Sequence, residues 1–416
     1  MEMEMVMDMD MDKIQSYILN DENHDTIDIK LNILLSIIRK HLGMSVSFIS
    51  EFVDGERVFR YLDTENKNSH IKVGDSDPLD ETYCKKIVDN KLTNVICDTS
   101  KNIITSKLDV TDKLSIGSYL GVPITLSSGE VYGTFCCYKN CPDNTLNQND
   151  LSYLRVISEI ASNYIEENIA SKNIHRESKK RIQSVLDEDK IIIHYQPIFN
   201  IQTNQIAGFE SLSRFNTETY RTPDIWFKEA SQVGMGEKLE IAAIVKAIKG
   251  LNELDSNTYI SVNTSPEYIL NGAIANVLQN IDTNRIVLEI TEHSPVSSYS
   301  DLRLALEPLR KKGVRLAIDD AGAGYSSFQH ILELEADIIK LDISLTQNIH
   351  SEPRKYLLAK ALCAFAKSIK CTIIAEGIET DEELNSLRGL GIDLIQGYLL
   401  GRPMPIEEAI SHKSVA

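Results

Sequence analysis

Strand-length runs of Val, Ile and Leu alternate with helix-length segments through the second half of the chain. Eight runs follow one another in roughly 230 residues: "IIIHYQPIF", "AGFESLSRF", "YISVNTS", "RIVLEITE", "VRLAIDDA", "DIIKLDIS", "CTIIAEGI" and "LIQGYLLG". Such apolar runs predict strands buried on both faces, as in a parallel sheet covered by helices. Their number indicates an α/β TIM-like (β/α)8 barrel over residues 186–416.

One antiparallel strand is expected in this barrel. The first two runs are joined by "NIQTNQ", which is too short for the crossover helix that connects two parallel strands. The second run should therefore turn back directly against the first.

The first part of the chain has the mixed pattern of a small α+β domain, which we place at residues 26–168. "IKLNILLSIIRKHLG" has helical spacing and ends at Gly43, and "SVSFISEF" and "RVFRYLD" flank a hairpin signal at Asp54-Gly55. A second helix is predicted around "DPLDETYCKKIVDN", followed by strands "SYLGVPITL" and "VYGTFCCYK". Residues 1–25, which begin with Met alternating with acidic residues, are expected to form a disordered acidic tail.

Residues 149–185 contain neither Pro nor Gly and predict one long connector helix. Its heptad positions are apolar at both ends and polar in the middle. Two interpretations stay open: a solvated linker, or a dimeric signalling helix kept weak so that it can switch. The predicted seam consists of Leu154, Ile157, Ala161, Tyr164, Asn168, Ser171, His175, Ser178, Ile182 and Val185.

Composition narrows the class of protein. A chain of 416 residues suggests two domains, and its formal net charge of −18 argues against a nucleic-acid polymer or an acidic membrane surface as partner. No stretch approaches the roughly 18 apolar residues of a membrane span. Seven cysteines without regular spacing favour a reducing, cytoplasmic location.

Charged and polar residues collect where the barrel strands end, which is the functional face of this fold. Like charges this close cannot all stay ionised without cations, so the carboxylates indicate bound divalent metal. The alternative for any single acid is that it caps a helix or solvates a loop. The group consists of Glu210, Arg214, Asn263, Glu289, Glu292, Asp319, Asp320, Lys340, Asp342, Glu376, Glu379 and Gln396.

Oxygen ligands without His or Cys favour Mg²⁺ or Mn²⁺ over zinc. Adjacent Asp319 and Asp320, followed by Gly322 and Gly324, can serve two ions, with Asp319 as the bridge. Two metal ions held close together in this way stabilise both the attacking and the leaving oxygen in phosphodiester hydrolysis.

Residues from Ile191 to about Pro405 resemble the EAL domain, a cyclic-di-GMP phosphodiesterase. The resemblance rests on "YQPI", "FESLSRF", "SVNTSP", "LEITE", "DDAGAGYSS", "IIKLD", "IAEGIE" and "QGYLLGRP", in family order. It implies that two Mg²⁺ or Mn²⁺ ions and a metal-activated water open cyclic-di-GMP to linear pGpG.

The resemblance also implies a role for each matching residue. The first metal would be held by Glu210, Asn263, Glu289 and Asp319, and the second by Asp319, Asp320 and Glu376. Lys340 would hold the attacking water, while Glu292 and Glu379 would support the site. The implied substrate contacts are Arg214 to a phosphate, Gln396 near a guanine, and Leu212, Gln196 and Pro403.

Departures from the family pattern are few. Ser211 replaces the Ala of the name motif, and Ala321 and Ala323 replace a common Phe and Thr in the double-aspartate loop. No metal or lysine position is missing, which favours the enzyme. The alternative is a catalytically inactive cyclic-di-GMP receptor.

The α+β domain resembles a GAF domain, chiefly through "GSYLGVPI" and "GEVYGTFCCY". This implies a sensor for an unknown small-molecule signal that regulates the barrel, and a homodimer. Cys84 and Cys97 lack the following His of a bilin site. Cys136 and Cys137 should lie on opposite faces of their strand, which argues against zinc.

Overall fold

The structure is a computed structural model that describes residues 24–65, 71–291, 294–321 and 326–412. The chain divides into two compact units, with the division between Ile174 and His175. The predicted acidic tail lies outside the described residues. Among those residues, no helix combines the length and the apolar character needed to cross a membrane.

The N-terminal unit is a six-stranded antiparallel sheet in the order β3-β2-β1-β6-β5-β4. Asp54 and Gly55 form the predicted hairpin turn, both with positive φ. The elements are α1 (His24–His41), β1 (Val46–Val53), β2 (Glu56–Thr64), β3 (Ser76–Pro78), α2 (Tyr83–Val88), β4 (Val95–Ile96), α3 (Asp109–Lys113), β5 (Ser118–Thr125) and β6 (Val131–Lys139).

Each face of this sheet carries its own apolar core. One core joins the sheet to α1 and includes Leu35, Phe135 and Cys137. The other is covered by short helices and includes Phe48 and Cys136. The neighbouring cysteines thus face opposite sides of β6, as the alternation of strand side chains predicts.

Helix α2 is shorter than the sequence pattern indicates. A separate 3-10 turn occupies Leu79–Glu81, and the chain is extended at Thr82. The Thr82 side chain then accepts a hydrogen bond from the Lys85 backbone N–H, so α2 begins only at Tyr83.

The predicted connector is one helix, α4 (Gln148–Asp187). Its first apolar positions, including Leu154 and Ala161, are buried in the N-terminal core. Ile182 and Val185 are buried in a core of the C-terminal unit. Most apolar side chains of the predicted dimer seam are therefore packed into cores of the chain itself and are not available to a second helix.

The C-terminal unit is a closed barrel in the order β10-β11-β12-β13-β14-β7-β8-β9. As predicted, one strand is reversed: β7 is antiparallel to β8 and to β14, and the other neighbouring pairs are parallel. The strands are β7 (Ile191–Asn200), β8 (Gln205–Phe215), β9 (Tyr259–Asn263), β10 (Ile286–Thr291), β11 (Arg315–Ala321), β12 (Ile338–Leu341), β13 (Thr372–Ala375) and β14 (Leu394–Ile395).

Helices cover the outside of the barrel and pack on outward-facing residues such as Ile260, Leu288 and Ile318. They are α5 (Pro223–Gln232), α6 (Gly236–Gly250), α7 (Pro266–Leu270), α8 (Ala273–Val277), α9 (Tyr299–Lys311), α10 (Ser326–Glu333), α11 (Ile343–Thr346), α12 (Pro353–Ile369), α13 (Asp381–Arg388) and α14 (Ile406–Ser411).

A separate apolar layer fills the barrel interior, with one residue from each of seven strands. These residues alternate with the outward-facing ones, as strand geometry requires. The interior layer consists of Ile198, Tyr259, Val287, Ala317, Ile338, Ile374 and Leu394.

Gly208 leaves the room that Tyr259 occupies in this layer. A Cβ at Gly208 would lie 2.7 Å from the Tyr259 ring and from its carbonyl oxygen. We expect Gly208→Ala to lower the free energy of unfolding of the barrel by about 1–3 kcal/mol, because the neighbouring backbone must shift. Urea unfolding monitored by Trp226 fluorescence measures this free energy. Trp226 is the chain's single tryptophan and is buried in the C-terminal unit.

Gly389→Ala is the matched control, because a Cβ there would meet its nearest atom at 3.4 Å. It should unfold at the urea concentration of the parent. Equal midpoints for both variants would contradict the proposed close packing at Gly208.

Candidate functional site

Inward-facing polar residues form a second layer directly above the apolar interior. Each lies two residues beyond an inward-facing position: Glu289 follows Val287, Lys340 follows Ile338, and Gln396 follows Leu394. Glu210, Asp319 and Glu376 obey the same spacing on β8, β11 and β13. The carboxyl ends of these strands therefore bring the polar groups to one mouth.

Lys340 lies at the centre of this layer with 1% of its side chain exposed. Its Nζ is 2.8 Å from Glu376 Oε1, 3.0 Å from Glu289 Oε2, 3.1 Å from Asp319 Oδ1 and 3.5 Å from Glu210 Oε2. Burial alone would lower the Lys340 pKa, but attraction to the four carboxylates raises it well above its ordinary value. The ammonium is therefore charged.

The carboxylates form two overlapping groups. Oxygens of Glu210, Glu289 and Asp319 lie within 4.8 Å of one another, as do oxygens of Asp319, Asp320 and Glu376. Asp319 belongs to both. One lysine cannot neutralise five carboxylates, so the site stays strongly negative.

Burial, together with the neighbouring charges of Glu210 and Asp319, raises the pKa of the Glu289 carboxyl to about 8 against the opposing effect of Lys340. The Glu376 pKa is also raised well above its usual range, first by burial and then by its acidic neighbours. Ionising these groups together requires additional positive charge.

Asp320 joins the site through an unusual backbone conformation. Its φ is +57°, in the left-handed region, and the register of β11 with β12 shifts between Ile318 and Ala321. In a regular strand Asp320 would point away from Asp319; the left-handed turn accompanies its approach to Asp319 and Glu376. Gly322, Gly324 and Ala323 lie outside the described residues, whereas Ala321 is buried in the outer core.

The site fits a hard divalent cation. All donors in the two groups are carboxylate oxygens, the ligands that Mg²⁺ and Mn²⁺ prefer. Glu289 Oε1 is buried and has no hydrogen-bond partner, so a donor atom is left for an ion. Asn263 pairs in register with Glu289 at the strand ends and is exposed at the cleft, where its side chain could complete the first group.

Gln396 and Gln196 are linked by hydrogen bonds to Glu210 of the first carboxylate group. Gln396 Nε2 donates to Glu210 Oε2 at 2.6 Å and to Gln196 Oε1 at 3.1 Å. Gln196 Nε2 donates to the Gly401 carbonyl at 3.2 Å. Both amides are buried, so their observed contacts orient Glu210, and their predicted substrate contacts stay predictions.

A cleft of about 430 Å³ opens beside the carboxylates. Leu212 and Arg214 continue from Glu210 along the same face of β8 and line it, together with Asn263 and Phe227. Arg214 Nη1 donates to the Ser213 carbonyl at 2.8 Å. The cleft thus has the Arg214 guanidinium and apolar side chains on its walls, next to the acidic layer.

Several predicted residues are not brought into the acidic groups. Glu379 is exposed, and Pro403 is half-buried beside His194 without lining the cleft. Asp342 caps α11 through a 2.8 Å bond from the Ser344 backbone N–H, which is the alternative role considered for such acids. Glu292 lies outside the described residues.

Sequence reasoning missed Glu240, a buried residue of α6. Its Oε1 accepts from Thr264 Oγ1 at 2.9 Å and from the Ser265 backbone N–H at 2.8 Å, and its Oε2 accepts from Ser265 Oγ at 2.7 Å. Burial raises the Glu240 pKa above its usual value, although these bonds oppose the shift. Glu240 thus fixes the loop that follows Asn263, a link that nothing in the local sequence signals.

Comparison with characterised proteins places this architecture among known relatives. Oxygen sensor protein DosP of Escherichia coli is 26% identical over 77% of this chain and 41% of its own length. Cyclic di-GMP phosphodiesterase NbdA of Pseudomonas aeruginosa is 28% identical over 55% of this chain and 31% of its own length. The chain therefore spans less than half the length of these relatives.

The barrel also resembles solved structures. The PaMucR phosphodiesterase in complex with c-di-GMP is 26% identical, with a TM-score of 0.52, and the match covers 56% of this chain and 99% of that one. Residues 24–166 match the GAF domain model. The EAL domain model matches residues 179–403, more than half of the chain, and the chain therefore belongs to the EAL-domain family.

Proposed function

We propose that the barrel hydrolyses cyclic-di-GMP to linear pGpG with two bound metal ions. The observation that carries the proposal is the Lys340 ammonium enclosed by two overlapping carboxylate groups beside an Arg214-lined cleft. The choice of substrate is supported by NbdA, a cyclic di-GMP phosphodiesterase, and by PaMucR, a phosphodiesterase solved in complex with c-di-GMP.

In this proposal the acidic groups would hold the metal ions. Glu210, Glu289, Asn263 and Asp319 would provide ligands for one ion, and Asp319, Asp320 and Glu376 for the other. Bound Mg²⁺ or Mn²⁺ would supply Lewis acidity toward the phosphodiester and the attacking water.

The chain's own groups bind and orient the substrate. Lys340 offers a fixed, charged donor that can hold the attacking water and offset negative charge as it develops on phosphate oxygens. Arg214 binds a substrate phosphate from the cleft wall, and Leu212 contacts the adjacent nucleoside. Glu240 keeps the Asn263 loop in place.

We also propose that the GAF domain controls the barrel, that the chain forms a homodimer and that it is cytoplasmic. The same proposal assigns residues 26–168 to the sensor, 149–185 to the connector and 186–416 to the phosphodiesterase. The GAF match supports a small-molecule sensor. On the exposed side of α4, Tyr153, Val156 and Ile160 form an apolar stripe, which a second copy could cover instead of the predicted seam.

Removing a metal ligand should abolish turnover. Loss of a residue that only supports a metal ligand costs roughly 10–100-fold in activity. We expect Glu210→Ala and Asp319→Ala, which remove ligands themselves, each to lower turnover by more than this. Chromatography of cyclic-di-GMP incubated with the purified chain in Mg²⁺, Mn²⁺ or a chelator measures pGpG directly. The parent should form product only with metal.

Ser211→Ala is the matched control beside Glu210. The Ser211 hydroxyl points away from the acidic layer and donates to the Ser261 carbonyl at 2.5 Å. Its loss should cost about 1 kcal/mol of stability and little activity. If Glu210→Ala is as active as Ser211→Ala, the metal assignment is wrong; tight cyclic-di-GMP binding without product in the parent would instead indicate a receptor.

Lys340→Met should separate catalysis from metal binding. Removing the central positive charge leaves the carboxylates in place, so Mn²⁺ should bind at least as tightly as in the parent. Turnover should fall by at least about 100-fold, because the charged donor toward the phosphate and its attacking water is lost. Electron paramagnetic resonance of free Mn²⁺ measures binding independently of activity.

Lys249→Met, at an exposed lysine of α6, controls for the substitution itself. It should match the parent in both measurements. Parental turnover by Lys340→Met would exclude the proposed role, and loss of Mn²⁺ binding in that variant would show that Lys340 organises the ligands.

A further inference from the structure

Two cysteines of the N-terminal unit contact each other inside its core. Cys84, on α2, and Cys136, on β6, are both fully buried, and their Sγ atoms are 3.9 Å apart. Gly121 pairs with Cys136 across β5 and β6, and a Cβ at Gly121 would lie 3.1 Å from Cys136 Sγ. The missing side chain thus leaves room beside the sulfur pair.

A buried guanidinium faces this pair. Arg57 is 3% exposed, and its Nη1 is 3.9 Å from Cys84 Sγ. Its Nη2 pairs with Asp77, while its Nε is buried and has no hydrogen-bond partner. Asp77 also pairs with Lys113 at 2.6 Å, so two cations share one carboxylate. The charge of Arg57 is therefore not fully neutralised by Asp77 and can attract a Cys84 thiolate.

The surroundings make the two sulfurs chemically unequal. Burial raises the pKa of the Cys136 thiol well above its usual value. Burial acts in the same direction on Cys84, but contact with Cys136 and attraction to Arg57 lower the Cys84 pKa well below its usual value. Tyr119 Oη lies 3.6 Å from Cys84 Sγ and can donate to a thiolate. Arg57 and Tyr119 thus favour the thiolate form of Cys84 over that of Cys136.

We propose that Cys84 and Cys136 are a modification site at which a hydroperoxide forms a reversible disulfide. The Cys84 thiolate attacks the peroxide oxygen, the O–O bond breaks, and Cys84 becomes a sulfenic acid while the leaving hydroxide or alkoxide takes a proton. Cys136 then attacks that sulfur, and the sulfenic oxygen leaves as water with the Cys136 proton. The sulfurs lose two electrons, which reduce the peroxide.

Closing the bond requires movement, and the fold indicates which element moves. A disulfide has an S–S length of about 2.05 Å, so the sulfurs must approach by nearly 2 Å. β6 is hydrogen-bonded to β1 and β5 on its two sides. α2 is a six-residue helix held to the sheet by side chains such as Tyr83 and Ile87, and it is the element that shifts when the pair is oxidised.

Thiol counting on the intact chain tests the proposal. The reduced protein is treated with hydrogen peroxide, unfolded, and labelled with N-ethylmaleimide, and mass spectrometry counts the labels. We expect seven labels before oxidation and five after it, with a peptide cross-link joining Cys84 to Cys136. Dithiothreitol should restore all seven. Seven labels after peroxide, or a cross-link between other cysteines, would overturn the proposal.

Cys137→Ser is the matched control, because Cys137 is equally buried on the opposite face of β6. This variant should lose two labels on oxidation, like the parent. Cys84→Ser should lose none through a disulfide. If Cys84→Ser fails to fold, the peptide map of the parent still decides which pair reacts.

The role of Arg57 is tested by the rate of cross-linking at neutral pH. Arg57→Gln should slow it by about 10-fold or more, because less Cys84 is ionised. Arg57→Lys should retain most of the rate, since it keeps the charge. Equal rates in the parent and Arg57→Gln, with both proteins folded, would exclude the thiolate step assigned to Cys84.

Discussion

The site depends on the contacts between the buried ammonium of Lys340 and four carboxylates, each of which comes from a different strand or strand end. Each distance from its Nζ lies between 2.8 and 3.5 Å. A charge taken out of water this completely is stable only among opposite charges. Lys340 in turn lowers the repulsion among the acids, although it leaves an excess of negative charge that divalent cations can neutralise.

The barrel makes this contact possible because strand side chains alternate with a period of two. Apolar residues fill the interior, and the next inward position on each parallel strand carries a polar group at the mouth. The reversed strand β7 obeys the same rule in the other direction. Gln196 precedes the interior residue Ile198 in sequence, because β7 runs toward the opposite end of the barrel.

The N-terminal unit separates two environments with one sheet. Cys136 and Cys137 are sequence neighbours, yet one contacts Cys84 on the side of Arg57 and the other lies in the core beneath α1. The apolar positions of α4 are likewise divided between the cores of the two units. A heptad count on α4 alone therefore overstates the surface available to a partner helix.

The sequence alone determined the eight strands, the single reversal at "NIQTNQ", the hairpin at Asp54-Gly55 and the acids at the strand ends, because these features are written in local periodicity and turn chemistry. Tertiary structure decided which acids meet. Asp320 enters the site through its left-handed backbone, while Asp342 caps a helix. Glu240 reaches the loop after Asn263 from another helix, and Gln396 binds Glu210 across 186 residues. Such contacts depend on distances in three dimensions, which strand and helix periods do not encode.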